Sequence, residues 1–118
     1  MARGDHAAAR RAAEQGIELS RQMGLLHAEA TNEIMLVRAL VAAGNVDGAD
    51  ADVTRAATLS AELGARDLPP RLEEARAELA RWRKDETGHE RALRHAAELH
   101  RENGEEWLAT QAEARIRQ

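Results

Sequence analysis

Cysteine, phenylalanine and tyrosine are missing from this sequence of 118 residues, and only two tryptophans and two prolines occur in it. The lack of cysteine excludes disulfide bonds and thiolate metal sites, and it favours a cytoplasmic protein. Few residues are aromatic or β-branched, which argues against β-strands. No apolar run reaches the roughly 18 residues of a membrane-spanning helix, and the N-terminus lacks the apolar core of a signal peptide. We therefore predict no membrane association.

Alanine, glutamate, arginine and leucine dominate what is present, and all four are strong helix formers. This composition predicts an all-α protein. Charged residues of both signs make up 32% of the chain, and the formal net charge is −4. Mixed charge of this kind is typical of solvated helix surfaces, whereas nucleic-acid binding usually requires a concentrated basic face. We therefore expect no nucleic acid to bind this segment.

A repeat with a period of 40 residues runs through the chain. One leucine and one glycine position recur twice at this interval, as Leu19, Leu59, Leu99 and as Gly24, Gly64, Gly104. Because glycine is a common helix stop, the repeat predicts that a "B" helix ends at each of these glycines. The predicted B helices cover residues 6–23, 46–63 and 86–102, and "A" helices cover 26–43, 68–83 and 106–117. The single domain 1–118 then consists of the B helix 6–23, repeats 25–64 and 65–104, and a partial A helix in 105–118.

The N-terminal tripeptide Arg3-Gly4-Asp5 matches the adhesion motif of integrin ligands, but the repeat offers a simpler interpretation. Asp5, Asn45 and Asp85 hold one repeat position, and each is a residue type that caps helix N-termini. The tripeptide is therefore predicted to be a helix junction. Asp67 is the predicted cap of the second A helix, with Pro69 and Pro70 in its first turn.

The pattern of small and large residues resembles the tetratricopeptide family. In the first full repeat the match lies at Leu36, Val37, Leu40, Ala49, Val53 and Ala56. In the second it lies at Ala77, Ala80, Leu93 and Ala96, with His89 where a small residue is expected. The period of 40 differs from the family's usual 34, the aromatic positions are empty, and no proline follows the B helices. HEAT and armadillo repeats share the longer period and remain an alternative.

This variant is similar to the long-helix repeats at the C-terminal ends of large bacterial regulators, such as transcription activators of the maltose-activator type and ATPases fused to nucleotide cyclases. The resemblance implies an antiparallel helix-pair solenoid, an α–α superhelix, of about five helices plus a partial one. It also implies a protein–protein interaction module that acts as the regulatory arm of a signalling or transcription protein.

Both chain ends fall in the middle of a predicted helix pair. Residues 1–3 align with the last turn of an A helix, and residues 116–118 align with the middle of one. Since solenoids normally carry polar caps, we expect the chain to be a piece of a longer protein. Alternatively, it is a free-standing adaptor whose open ends pair between two copies and give a homodimer.

No pattern of catalytic or metal-binding residues stands out. His89-Glu90 begins like the zinc-protease motif, but Leu93 occupies the position of the second histidine. Ser20 and Ser60 hold one repeat position, whereas a catalytic serine would be unique and paired with a base. We therefore predict no enzyme activity, no catalytic residue, no bound metal and no cofactor.

The resemblance places a partner-binding groove on the A helices, and a protein or peptide segment is the partner that it implies. The groove residues carried over are Thr31, Ile34, Arg38, Val41, Arg71, Glu74, Glu78, Arg81 and Gln111. Trp82 and Trp107 either anchor the partner or fill space left by the many alanines. The basic run at Arg81, Arg83 and Lys84 is interpreted as a helix C-terminus whose cations suit the helix dipole.

Overall fold

Helices and short turns account for all of the described chain. The computed structural model describes the backbone of residues 3–117 and the side chains of residues 6–117. Over that range the chain forms no strand and six α-helices: α1 Arg3–Met23, α2 Leu26–Ala42, α3 Ala49–Leu63, α4 Leu68–Trp82, α5 Glu86–Glu102 and α6 Glu106–Arg115. The prediction of an all-α fold is confirmed. Within residues 3–117, no helix combines the length and the apolar character needed to cross a membrane.

The helices form two units, Met1–Ala65 and Arg66–Gln118, and each packs its helices in sequence order. In the first unit α2 packs between α1 and α3, and in the second α5 packs between α4 and α6. The connecting turns are short, so each helix runs antiparallel to the next one in its unit. It follows that α1 is parallel to α3 and that α4 is parallel to α6. This is the packing order of a helical repeat.

The three glycines of the repeat terminate the B helices as predicted. Gly24, Gly64 and Gly104 all adopt left-handed backbone angles, with φ of 69°, 62° and 76°. The turns after Gly24 and Gly104 also share a hydrogen bond, since Leu25 N donates to Ser20 O at 2.9 Å and Glu105 N donates to His100 O at 2.8 Å. The 40-residue period of the sequence is therefore also a period of the structure.

Two predicted helix starts are wrong. Helix α3 begins at Ala49 and not at residue 46, because Gly48 takes a φ of 84° and closes a turn from Val46. Asn45 therefore does not cap α3. Helix α1 begins at Arg3, so Gly4 and Asp5 lie in its first turn and not at a helix junction. The proposed capping bond of the Asp5 side chain, and the alignments of residues 1, 2 and 118, lie outside what the structure describes.

The third predicted cap is confirmed. Asp85 Oδ1 accepts a hydrogen bond from Gly88 N at 2.9 Å, which satisfies one free amide at the start of α5. A Cβ atom at position 88 would approach Asp85 Oδ2 to 2.3 Å, so a larger residue there would require the Asp85 side chain to shift. Asp67 does occupy the N-cap position of α4, but its side chain makes no capping hydrogen bond.

Small and branched apolar residues build the core of each unit. Ala13, Val53 and Leu93 share one repeat position, and all three are buried. Ala56 and Ala96 share another, and no part of either is exposed. In the second unit the core cluster consists of Ala77, Ala92, Leu93, Ala96, Ala97, Ala109 and Ala112, with Ile116 packed against it. Alanine lets the helices approach closely at little cost in side-chain entropy.

Candidate functional site

The first unit contributes four of the predicted groove residues, all on α2, and one of them is unavailable to a partner. Ile34 is only 4% exposed and belongs to the core, so its assignment to a binding surface is wrong. Helix α2 packs between two neighbours, which buries a wider stripe than an outer helix would. Thr31 and Val41 are half-buried and Arg38 is exposed. The Thr31 hydroxyl donates to His27 O at 3.0 Å.

The second unit carries the larger part of the predicted groove, on α4 and α6. Arg71, Arg81 and Gln111 are exposed. Glu74 and Glu78 are half-buried because they face Arg115 of α6, which lies 2.9 Å from Glu74 Oε2 and 4.0 Å from Glu78 Oε1. These two carboxylates therefore hold α4 and α6 together.

The same ion pairs fix the register of the two parallel helices. Arg115 lies beside Glu74 and Glu78, so the start of α6 lies beside the start of α4. Trp107 is eight residues before Arg115, and Trp82 is four residues after Glu78. At a rise of about 1.5 Å per residue, roughly 20 Å of helix axis separates the two tryptophans. They belong to opposite ends of this face and do not form one cluster.

Both tryptophans project into solvent. Trp107 is 71% exposed and Trp82 is 45% exposed, and Leu108 beside Trp107 is exposed as well. The alternative interpretation, in which the indole rings fill space between alanines, does not hold for side chains of this exposure. Tryptophan is one of the residue types that are enriched among the hot spots of protein interfaces.

A buried ionic cluster in the first unit was missed by the sequence analysis. It consists of Glu29 and Glu33 on α2, Arg21 on α1, and Asp52 and Arg55 on α3. Glu29 is 2% exposed, and its Oε2 accepts hydrogen bonds from Arg21 Nε at 3.0 Å and from Arg55 Nη2 at 3.0 Å. Burial favours the neutral carboxyl, but the two guanidinium groups outweigh it and lower the pKa of Glu29.

Glu33 is the anomalous member of the buried ionic cluster. Its Oε1 accepts from Arg21 at 3.3 Å, while its buried Oε2 receives no hydrogen bond from any described residue. Burial and the nearby charge of Asp52 raise the pKa of Glu33 to about 7. Burial also raises the pKa of Asp52. Burial beside a second carboxyl group disfavours the charged form, so Glu33 holds its proton to a higher pH than an ordinary glutamate.

A sequence signal for this cluster existed. Glu29 and Glu33 are four residues apart and stand on the same α2 stripe as Val37 and Leu40, which are core residues. A charged residue on an apolar stripe indicates a buried ion pair, because an unpaired charge would be too costly there.

The second unit has a buried histidine at a repeat position that serines hold in the first unit. His100 stands where Ser20 and Ser60 stand in the preceding helices, and all three are buried. Its Nδ1 lies 3.0 Å from Glu105 Oε1, and its Nε2 lies 3.3 Å from Glu74 Oε1. His100 thus connects α5 to α4 and to the turn before α6.

Among the side chains of residues 6–117, no group of three or more His, Asp or Glu is arranged to hold a metal ion. The buried carboxylates are engaged by arginines of the same unit, which is the arrangement of structural ion pairs.

Comparison with protein-family models, with curated proteins and with solved structures returned no match. The class that the fold defines is an all-α protein of sequentially packed helix pairs. The exposed tryptophans on α4 and α6 are its candidate contact surface.

Proposed function

We propose that this chain is a helical-repeat interaction module that binds a protein or peptide segment, and that it serves as the regulatory arm of a larger bacterial signalling or transcription regulator. The exposure of Trp82 and Trp107 on α4 and α6 is the observation that carries the proposal. The assignment to a regulator rests on the resemblance to tetratricopeptide-like repeats of long period.

The chemistry of the surface supports a partner of mixed character. Each indole offers a large apolar contact whose N–H remains free to donate a hydrogen bond. Arg71, Arg81 and Gln111 provide exposed polar groups on the same two helices. A segment with apolar anchors spaced between acidic or amide groups fits such a surface.

The interaction can be tested by quantitative affinity capture from source cells, with the wild-type chain and single variants as bait. Trp107→Ala and Trp82→Ala remove the two candidate anchors. Met35→Ala is the matched control, because Met35 is also an exposed apolar side chain but lies on α2 of the first unit. We expect at least one protein to be captured by the wild type and by Met35→Ala, and to be lost with a tryptophan variant.

Loss of a hot-spot tryptophan costs about 2 kcal/mol or more, which corresponds to roughly thirtyfold weaker binding. Binding should then be measured directly with the purified partner. If every captured protein binds both tryptophan variants as tightly as the wild type, these side chains are not anchors and the proposed surface is wrong.

The place of the chain in a larger regulator needs a separate experiment. An antibody raised against the chain should detect the native polypeptide in source cells at a mass far above 13.0 kDa. A band at 13.0 kDa, together with a dimer in light scattering, would instead identify a free-standing adaptor that pairs between copies.

A further inference from the structure

A cavity of about 470 Å³ lies in the second unit, where the end of α4 and the start of α5 meet the end of α6. This volume falls within the roughly 300–1,000 Å³ that small-molecule sites occupy. The residues that line it are Arg81, Lys84, Glu86, His89, Glu90, Ile116 and Arg117, and we refer to it as the Arg81 cavity.

Positive charge in the Arg81 cavity exceeds negative charge. Within the described part of the chain, the side chains of Arg81, Lys84 and Arg117 make no hydrogen bond or ion pair. Of the two carboxylates, Glu90 is neutralised by Arg94, whose Nε lies 3.1 Å away. Three free cations therefore face one free carboxylate, Glu86, and a ligand that balances them carries about two negative charges.

His89 adds a buried hydrogen-bonding atom that lacks a partner. Its Nδ1 lies 3.0 Å from Ala77 O, and since a carbonyl only accepts, Nδ1 carries the hydrogen. This bond fixes the ring and leaves Nε2, which is buried and makes no hydrogen bond to a described residue. An unsatisfied buried polar atom is costly, so a ligand group that reaches Nε2 gains the interaction that the protein itself leaves unmade.

The cavity residues are departures from the repeat. Forty residues earlier, Arg81, Lys84 and His89 correspond to Val41, Gly44 and Ala49. The turn at Gly44 has a φ of 73°, and Lys84 adopts the same left-handed conformation with a φ of 61° although it has a Cβ atom. Lysine is disfavoured in that conformation. The fold therefore does not require these three residues, and strained residues of this kind concentrate at functional sites.

We propose that the Arg81 cavity binds the phosphate group of a small phosphomonoester. A phosphate monoester has a second pKa near 6, so around neutral pH it carries between one and two negative charges and exists with and without a proton. Its oxygens accept from Arg81, Lys84 and Arg117. It can also donate to His89 Nε2 or accept from it, whichever the ring requires. This inference goes beyond the proposed interaction function and does not depend on it.

The test is a titration of the isotope-labelled chain, followed by amide and histidine nitrogen shifts in NMR spectra. Inorganic phosphate and phenyl phosphate are the probes, and succinate at equal ionic strength is the dianion without a tetrahedral group. We expect saturable shifts at Lys84, His89 and Arg117 with a Kd of about 1 mM or tighter for phenyl phosphate. Succinate should bind at least about tenfold more weakly.

Three variants locate the site. Arg81→Gln removes one cavity cation, and we expect it to weaken binding about tenfold. Arg71→Gln is the matched control, because Arg71 is also an exposed arginine of α4 but does not line the cavity. Lys84→Gly removes a second cation while relieving the left-handed strain, so it should weaken binding without unfolding the turn.

Three results would overturn the proposal. One is a linear, non-saturating response to both phosphate probes. Another is equal loss of binding in Arg81→Gln and Arg71→Gln, which would indicate general charge attraction. The third is binding of succinate as tight as that of phenyl phosphate.

Discussion

At the scale of single residues, Lys84 shows how far the repeat constrains the backbone. Lys84 N donates to Arg81 O at 3.0 Å, and Gly44 N donates to Val41 O at the same distance in the preceding turn. The two turns are therefore the same structure, with glycine in one and lysine in the other. The packing of the flanking helices dictates the left-handed conformation. Lys84 therefore adopts this conformation although its Cβ atom makes it unfavourable.

Replacing Lys84 by glycine should therefore stabilise the protein. We expect Lys84→Gly to raise the free energy of unfolding by about 0.5–1 kcal/mol, because the strain removed exceeds the added entropy of the unfolded chain. Urea denaturation followed by circular dichroism measures the change. Lys84→Ala is the control, since it removes the charge but retains Cβ, and it should give no such gain. Equal stabilisation by both variants would mean that charge and not strain is the cause.

The solvent exposure of Trp82 could not be predicted from the sequence. Trp82 follows Leu79 by three positions on the apolar face of α4, so periodicity alone places it in the core. It is nevertheless half exposed, because α4 ends at this residue and the chain turns away. Ile34 fails in the opposite direction, since a position assigned to the groove lies in the core. Burial at these positions depends on how the neighbouring helices pack, and the residue pattern within one helix holds no information about that packing.

At the scale of helices, the caps explain why α3 and α5 start at different repeat positions. Asp85 accepts from Gly88 N, and α5 begins at Glu86. Asn45 makes no such bond, Gly48 turns left-handed, and α3 begins three residues later in the repeat. Aspartate also has the charge that favours a helix N-terminus. The presence or absence of one capping hydrogen bond thus decides whether the segment forms the first turn of a helix or a loop.

The two cap positions should respond differently to alanine. We expect Asp85→Ala to lower the free energy of unfolding by about 1 kcal/mol, through loss of the cap. Asn45→Ala should change it by less than about 0.5 kcal/mol, because no cap is lost at this exposed position. Thermal and urea denaturation of both variants provide the comparison. A similar cost at both positions would show that the Asp85 bond contributes little.

Helix α3 also offers a test of close packing. Ala56 is fully buried at the repeat position where the chain has Gly16 and Ala96. Ala56→Leu should overpack this contact and cost about 1–3 kcal/mol. Ala51→Leu adds the same side chain at an exposed position of the same helix and should be close to neutral. If Ala56→Leu were also neutral in denaturation experiments, the helices would not be in close contact there.

Helix ends were more predictable than helix starts. The stops at Gly24, Gly64 and Gly104 follow from one residue type with a known conformational role. The start of α3 depended on whether Asn45 or the Asp47-Gly48 turn would prevail, and both are legitimate local signals. The buried ionic cluster was less accessible still, because its members come from three helices and only their packing brings the charges together.

At the scale of the whole molecule, buried carboxyl groups make stability depend on pH. The pKa of Glu33 is about 7 in the folded chain against 4.5 for an ordinary glutamate, and the pKa of Asp52 is raised as well. The folded state then holds protons more tightly than the unfolded state between these values. Stability is therefore greatest below about pH 4.5 as far as Glu33 is concerned, and it falls as the pH rises towards 7. Above that window the contribution of Glu33 is constant.

Glutamine at position 33 should remove much of this dependence. The Glu33→Gln side chain has the same shape and can accept from Arg21 through its oxygen, but it has no proton to release. We expect the wild type to lose about 1–3 kcal/mol of stability between pH 5 and pH 8, and the variant to lose markedly less. At pH 8 the variant should be the more stable protein. Urea denaturation at several pH values measures both effects.

Glu62→Gln is the matched control for this experiment. Glu62 is an exposed carboxylate of α3, so its substitution also removes a carboxyl group but does not touch the buried ionic cluster. Its pH dependence should follow that of the wild type. If Glu33→Gln and Glu62→Gln gave the same curve, the fall in stability would come from general charge repulsion in a chain of net charge −4. A flat curve for the wild type would mean that Glu33 ionises in the folded state as easily as in the unfolded chain.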